Sequence, residues 1–211
     1  MNQPKLVFFH NPHSRAAMTR ALLEELGAEF ELCPVDFRRD EQLSADFRAI
    51  NPMGKVPAIR AGDVVVTETV AIYIWLADLF PAAALAPALD DPERGAYLRW
   101  LVFYAACMEP AVADKAMKRA PGPRAQSPYG DYESVVATIS AAIDKGPWLL
   151  GARFTAADVL WGNALGWLTG FGMVEKTPVI AAYIERVMAR PAQQRAQQAD
   201  AALAKEMGLG G

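Results

Sequence analysis

Two cysteines, Cys33 and Cys107, and two histidines, His10 and His13, are all that the chain carries of those residue types. A pair of distant cysteines offers neither a disulfide framework nor the clustered thiolates of a structural zinc site. Two histidines without partner ligands cannot complete a tetrahedral metal centre, so no metal is expected. Positive charge is scarce as well: 21 Lys and Arg against 24 Asp and Glu leave a net charge of −3. With no basic stripe to neutralise phosphates, nucleic acid is not an expected partner. No run reaches the roughly 18 uninterrupted apolar residues of a membrane span, and no membrane association is expected. The first residues lack the cationic start and long apolar centre of a secretory leader, so a cytoplasmic location is the expectation.

What the chain does have is apolar mass: 53% of its 211 residues are hydrophobic, enough for one large domain or two smaller ones. The first third alternates strand and helix signals. Residues 5–10 form an apolar run broken by Asn11-Pro12-His13, and 14–27 carry Ala17, Ala21, Leu22 and Leu26 at helical spacing up to Gly27. A second strand is expected over 30–35 and a short helix over 42–50, closed before Pro52. Residues 57–60 and 64–66 read as a hairpin about Ala61-Gly62-Asp63, and 68–79 as a helix stopped by Pro81. The order β-α-β-α-β-β-α predicts a mixed sheet flanked by helices over residues 1–80. An Ala/Pro-rich stretch at 81–91 reads as a linker, and 92–211 as an all-helical domain with helices over 92–118, 128–145, 155–168 and 178–204. The tail from Met207 to Gly211 is expected to fray.

Asn51-Pro-Met-Gly-Lys-Val-Pro57 and Thr67-Glu-Thr69 are the most telling segments. A Val56-Pro57 step at the mouth of a strand leaves main-chain groups bare, because Pro57 has no N–H and bends the chain. Glu68-Thr69 stands where a strand passes into a helix, so free N–H groups and the positive end of the helix dipole welcome a carboxylate. The Glu68 carboxylate there also suits an ammonium, although an acid at a helix start commonly does no more than complement the dipole. A ligand with a peptide-like middle and a charged amino-acid end satisfies both segments, and glutathione is such a ligand. Lys55 offers a second cation for a ligand carboxylate, with a solvated side chain as the plainer reading; Arg15 is similar.

Ser14 lies at the entrance of the first helix, where a hydroxyl ordinarily caps a backbone N–H. It can also donate to a bound thiolate. A free thiol titrates near pH ~8.5, and lowering it to about 6.5 requires ~3 kcal/mol of selective stabilisation of S⁻. One hydrogen bond to a charged acceptor at ~1.5–3 kcal/mol and a helix end at ~0.3–1 kcal/mol cover that. Asn11 ranks second for this role and His13 third, each being a common turn residue after a strand. In the helical half, Thr155-Ala-Ala-Asp158 has the pattern of a capping box, with Phe154 and Val159 placed for a hydrophobic staple. Trp75, Trp100 and Trp148 are expected in the core. Phe103, Tyr104, Cys107 and Met108 are candidates for an apolar substrate surface, with core packing as the alternative for at least half of them.

Taken in order, Ser14-Arg15, Leu22-Leu-Glu-Glu-Leu-Gly27, Asn51-Pro52, Gly54-Lys-Val-Pro57, Thr67-Glu-Thr69 and Phe154-Thr-Ala-Ala-Asp158 resemble the glutathione S-transferase superfamily over nearly the whole chain. The resemblance implies a thioredoxin-like N-terminal domain, an all-helical C-terminal domain, a cis Val56-Pro57 bond and a homodimer. It further implies that the Val56 main chain pairs with the cysteinyl part of glutathione while Glu68 and Thr69 hold the γ-glutamyl end. The family's sulfur-contacting residue is Tyr, Ser or Cys. No Tyr or Cys lies near the first helix here, which disfavours a Cys-type thiol-reductase mechanism, and one serine slot of the family holds Asn11. Thr69 stands where Ser is usual and keeps the hydroxyl. The implied activity is conjugation of the glutathione thiolate to a small hydrophobic electrophile held at Phe103, Tyr104 and Met108. Peroxide reduction, dehalogenation or isomerisation on the same scaffold, or a binding or regulatory role without turnover, are the alternatives.

Overall fold

The computed structural model describes residues 5–120 and 122–209, which form two compact units. The first contains β1 (Leu6–His10), α1 (Ala16–Leu26), β2 (Phe30–Pro34), α2 (Ala45–Ile50), β3 (Ala58–Ala61), β4 (Val64–Thr67) and α3 (Thr69–Leu79). Its four strands lie in the order β2-β1-β3-β4, with β1 and β2 parallel and both other pairs antiparallel. This is the thioredoxin-like arrangement that the β-α-β-α-β-β-α order anticipates. Because side chains alternate across a strand, β1 feeds both faces. Leu6, Phe8 and His10 are buried on one face, and Phe9 on the other joins Val35, Phe47 and Ala58. Gly27, at φ 61°, ends α1 in the left-handed conformation that glycine adopts without a Cβ penalty. α2 starts later than the residue-42 boundary expected for it, because the Ser44 hydroxyl accepts from the Phe47 N–H at 3.2 Å and 41–43 form a 3₁₀ turn.

The second unit spans Ala84–Arg190 and is helical. It holds α4 (Arg94–Phe103), α5 (Glu109–Ala116), α6 (Tyr132–Ile143), α7 (Ala156–Gly170) and α8 (Pro178–Met188). The single helix expected over 92–118 opens into a π-helical turn at Tyr104–Met108. Pro110 explains it: a proline has no N–H to give the Ala106 carbonyl and its ring would strike that carbonyl, so the turn before it widens. Trp100 and Trp161 are buried, with the Trp161 Nε1–H donating to the Trp100 carbonyl at 2.9 Å, while Trp75, Trp148 and Trp167 stay half-buried. The capping box at the start of α7 is present, and Asp158 is fully buried within it.

Two boundaries differ from those expected. Residues 84–91 do not behave as a linker: Leu85 accepts from the Ala156 N–H at 2.8 Å and Pro87 from Arg94 Nη1 at 2.9 Å, which ties the stretch into the helical unit. The helix expected over 178–204 breaks after Met188, since Pro191 cannot continue it, and resumes as α9 (Pro191–Glu206). α9 belongs to the first unit. It lies against α1 through Arg195 to Glu24 (3.0 Å), Gln193 to Glu25 (3.0 Å) and Arg20 to Asp200 (2.9 Å), with Ala192, Ala196, Leu203 and Ala204 buried. Of the tail expected to fray, Met207 and Leu209 donate back to Leu203 and Ala204, and Arg38 donates to the Met207 and Gly208 carbonyls. Gly210 and Gly211 lie outside the described residues. Among the described residues no helix is long and apolar enough to cross a membrane.

Gly162 marks the closest approach of α7 and α8, because a Cβ built there would lie 2.6 Å from the Val187 side chain. Gly162→Ala is therefore expected to destabilise the helical unit by about 1–3 kcal/mol of overpacking. Adding Val187→Ala should recover part of that loss, read as a positive coupling in urea denaturation of the four chains of the cycle.

Candidate functional site

Strand register brings the expected ligand-binding segments to one edge of the sheet. Ala58 pairs with Phe9 of β1 on one side and with Thr67 of β4 on the other. The turn after His10, the step before Ala58 and the start of α3 after Thr67 therefore leave the sheet at the same end. They carry Asn11 and Ser14, Lys55 and Val56, and Glu68 and Thr69 respectively, all within the first unit.

The Val56 segment is held by Asn51, whose own role the spacing of Asn51-Pro52 left unread. Asn51 is buried, its Nδ2 donates to the Lys55 carbonyl at 2.7 Å and its Oδ1 accepts from the Met53 N–H at 3.1 Å. A buried amide that spans its own loop is the signal that names it. The Val56-Pro57 bond is cis, as the resemblance implies. Among the described residues the main-chain N–H and C=O of Val56 have no hydrogen-bond partner. A donor and an acceptor left on one residue at a strand mouth are what an extended peptide ligand requires. Lys55 is exposed.

Glu68 precedes α3 with φ 67° and ψ 118°, a conformation that costs a residue with a Cβ on the order of 1–3 kcal/mol. Its carbonyl accepts from the Ile72 N–H at 3.0 Å, its carboxylate is exposed, and no side chain caps the helix. The first N–H groups of α3, Thr69 included, are thereby left toward solvent at the positive end of the dipole, a seat for a carboxylate. The exposed Glu68 side chain adds an anionic acceptor beside it.

At the third segment, Ser14 is half-buried; its Oγ donates to the Asn11 carbonyl at 2.7 Å and accepts from the Ala16 N–H at 3.1 Å. The capping role is thus occupied, but the hydroxyl proton can turn. Exchanging a neutral bond worth ~0.5–1.5 kcal/mol for one to a thiolate worth ~1.5–3 kcal/mol is favourable. Asn11 is buried, with Nδ2 donating to the Val35 carbonyl at 2.8 Å and Oδ1 accepting from the His13 N–H at 3.0 Å. Its amide shapes the turn. His13 is exposed.

Neither cysteine is a ready nucleophile. Burial pushes the Cys33 thiol up, with the Glu31 charge adding to it, and burial likewise raises Cys107. Cys33 lines a cleft of about 260 Å³ beneath α2 with Phe9, Val35, Phe47 and Ile50, on the apolar cluster of the sheet. In the helical unit, Tyr104 and Met108 are buried. Tyr104 packs edge-on to Trp161 at 5.7 Å and its hydroxyl donates to Glu109. Phe103 is half-buried, against Trp100 and Trp161. Of the four candidates for an apolar substrate surface, Phe103 and Cys107 are half-buried and keep open area. Tyr104 and Met108 recur with Tyr97 and Leu101 at helical spacing and share their buried face.

Known proteins share this fold. Residues 4–78 match the N-terminal domain of glutathione S-transferases. A curated relative, the glutathione S-transferase GstA of Escherichia coli O157:H7, is 28% identical over 195 residues, 91% of this chain and 97% of that protein. Among solved structures, a glutathione transferase from Methylococcus capsulatus superposes with a TM-score of 0.80 at 32% identity, covering 93% of this chain and 99% of that one. A sphingomonad glutathione S-transferase, solved in complex with glutathione, matches with a TM-score of 0.76 at 28% identity over 92% of this chain and 98% of its own. The chain belongs to the glutathione S-transferase superfamily, which places it broadly among glutathione transferases and the enzymes related to them.

Proposed function

We propose that this chain binds glutathione and transfers its thiolate to a small hydrophobic electrophile. One observation carries the reading: an unpaired Val56 main chain, an uncapped α3 start bearing Glu68, and the Ser14 hydroxyl meet at one sheet edge. Val56 then pairs with the cysteinyl unit, the α3 N–H groups and Thr69 seat the γ-glutamyl carboxylate, and Glu68 takes its ammonium. Lys55 faces solvent where a further carboxylate can reach it. Ser14 donates to sulfur, the thiol proton passes to water, and the thiolate attacks the electrophilic carbon, forming the S–C bond as that carbon's bond to its leaving group breaks and the group departs to solvent with the electron pair. Proximity and a lowered thiol pKa supply the rate. The exposed Val64 and Val65 on edge strand β4 fit a second copy covering that edge, and the assembly is proposed as a homodimer in the cytoplasm.

Titration calorimetry with glutathione tests the binding step, and a panel of electrophiles assayed with glutathione tests the transfer. Absence of binding sinks the reading, while binding without turnover makes the chain a binding module. Ser14→Ala should raise the pKa of the bound thiol by about 1–2 pH units, the worth of one charge-assisted hydrogen bond. The change is read as thiolate absorbance lost near neutral pH. If Asn11→Ala produces that loss and Ser14→Ala does not, the amide is the sulfur's donor.

A further inference from the structure

A buried polar clasp joins the end of β1 to α9 and has no part in the chemistry assigned so far. His10 is fully buried, and its Nε2 lies 2.7 Å from Asp200 Oδ1. The same oxygen accepts from Arg20 Nη1 of α1 at 2.9 Å. The side chains of Asp200 and Arg20 are only 14% and 11% exposed, and His10 Nδ1 has no partner among the described residues. With its proton on Nε2 the imidazole is the donor to Asp200. Removing such groups from water costs enough that apolar side chains of similar size often serve stability as well or better. What the clasp adds is a defined angle, because a carboxylate pinned by Arg20 accepts from the imidazole along one direction.

His10 directly precedes Asn11. Its carbonyl accepts from the Val35 N–H at 2.8 Å, and Asn11 Nδ2 donates to the Val35 carbonyl at 2.8 Å. Residues 10 and 11 are therefore gripped by the end of β2 on one side and by the α9 carboxylate through His10 on the other. Ser14 Oγ hangs on the next carbonyl, that of Asn11. We propose that Asp200 is a positioning residue for the sulfur site: through His10 it sets the β1–α1 turn from which Ser14 meets the thiolate, a role that rests on the glutathione chemistry proposed for that turn. A misplacement on the order of 1 Å in such a constellation can cost ~100-fold in rate.

The test uses the full chain and three variants, with glutathione as the probe. Asp200→Ala should raise the bound thiol's pKa by about one pH unit, so that the thiolate-to-thiol ratio at a given pH falls about 10-fold. Glutathione affinity at neutral pH, governed by Glu68 and Val56, should fall by no more than about three- to four-fold, the part that the lost thiolate accounts for. Asp200→Asn, whose amide oxygen still accepts from His10, should restore most of the thiolate. Arg195→Ala removes the neighbouring α9–α1 ion pair to Glu24 without touching His10, and should change neither quantity. If Asp200→Ala does not fold, Asp200→Glu keeps the charge but lengthens the arm, and should raise the thiol pKa as well. An unchanged thiol titration in folded Asp200→Ala or Asp200→Glu overturns the proposal, as does an equal shift in Arg195→Ala, which would make α9 docking the cause. Hydrogen exchange without ligand separates this from failure of the function itself. The His13 and Ala16 amides, bonded to Asn11 Oδ1 and Ser14 Oγ, should lose protection in the variant that shifts the turn. Should the wild type bind no glutathione, the transferase function falls, and unchanged protection at these amides overturns the positioning role as well.

Discussion

Glu68→Ala is expected to weaken glutathione binding by about 10- to 30-fold while leaving the fold as stable as before. The carboxylate contributes one charge-assisted hydrogen bond to the ligand ammonium, ~1.5–3 kcal/mol in general. Its exposure in the free chain argues for the lower half of that range, about 1.5–2 kcal/mol. Alanine is the informative replacement because it keeps the Cβ. The unfavourable φ of 67° is then present in both proteins, and the Ile72-to-Glu68 main-chain bond remains. Glycine would relax that strain and mix a backbone effect with the loss of the carboxylate. Calorimetry at equal ionic strength measures the change, and an affinity equal to wild type would falsify the role given to Glu68. Raised salt should narrow the difference between the two proteins, since the contribution removed is ionic.

The largest loss of stability is expected from Asp158→Ala, by about 3–5 kcal/mol, a substantial part of the ~5–15 kcal/mol that holds a domain folded. Asp158 is fully buried. Its Oδ2 accepts from the Thr155 N–H at 2.9 Å and the Thr155 hydroxyl at 3.1 Å, and its Oδ1 from the Leu149 N–H at 2.8 Å and the Tyr183 hydroxyl at 2.8 Å. Burial pushes this carboxyl up against the pull of those donors, and burial also raises Tyr183 well above the usual phenol range. Removing the acceptor strands several buried donors at ~1–3 kcal/mol each, partly relieved where a hydroxyl can turn. Asp158→Asn should also destabilise, since its NH₂ group must face a donor of Thr155 or Leu149. Urea denaturation followed by far-UV circular dichroism measures both, and a midpoint unmoved by Asp158→Ala would show that water replaces the carboxylate.

Local patterns were sufficient where the decisive contacts lie within a few residues. Strand and helix order through residue 79, the Gly27 stop, the Thr155–Asp158 box and the strand-to-helix passage at Glu68 all follow from proline, glycine and capping chemistry at short range. α2 shows the limit of such reading. Ser44 competes with Gln42 for the start of that helix, and only the bond from Phe47 N–H to Ser44 Oγ decides it. The inward fate of Tyr104 and Met108 follows the helical period they share with buried Tyr97 and Leu101, which makes core packing the right one of their two alternatives.

Taken by itself, the order of residues determined a sheet-and-helix half and a helical half, because short-range backbone chemistry dictates each. Tertiary structure alone decided that α9 returns to the first unit, that Asn51 spans its own loop and that Asp200 reaches His10 across 190 positions of sequence. No periodicity encodes such a pairing. It exists because burying α9 against α1 places a carboxylate, a guanidinium and an imidazole where each needs another.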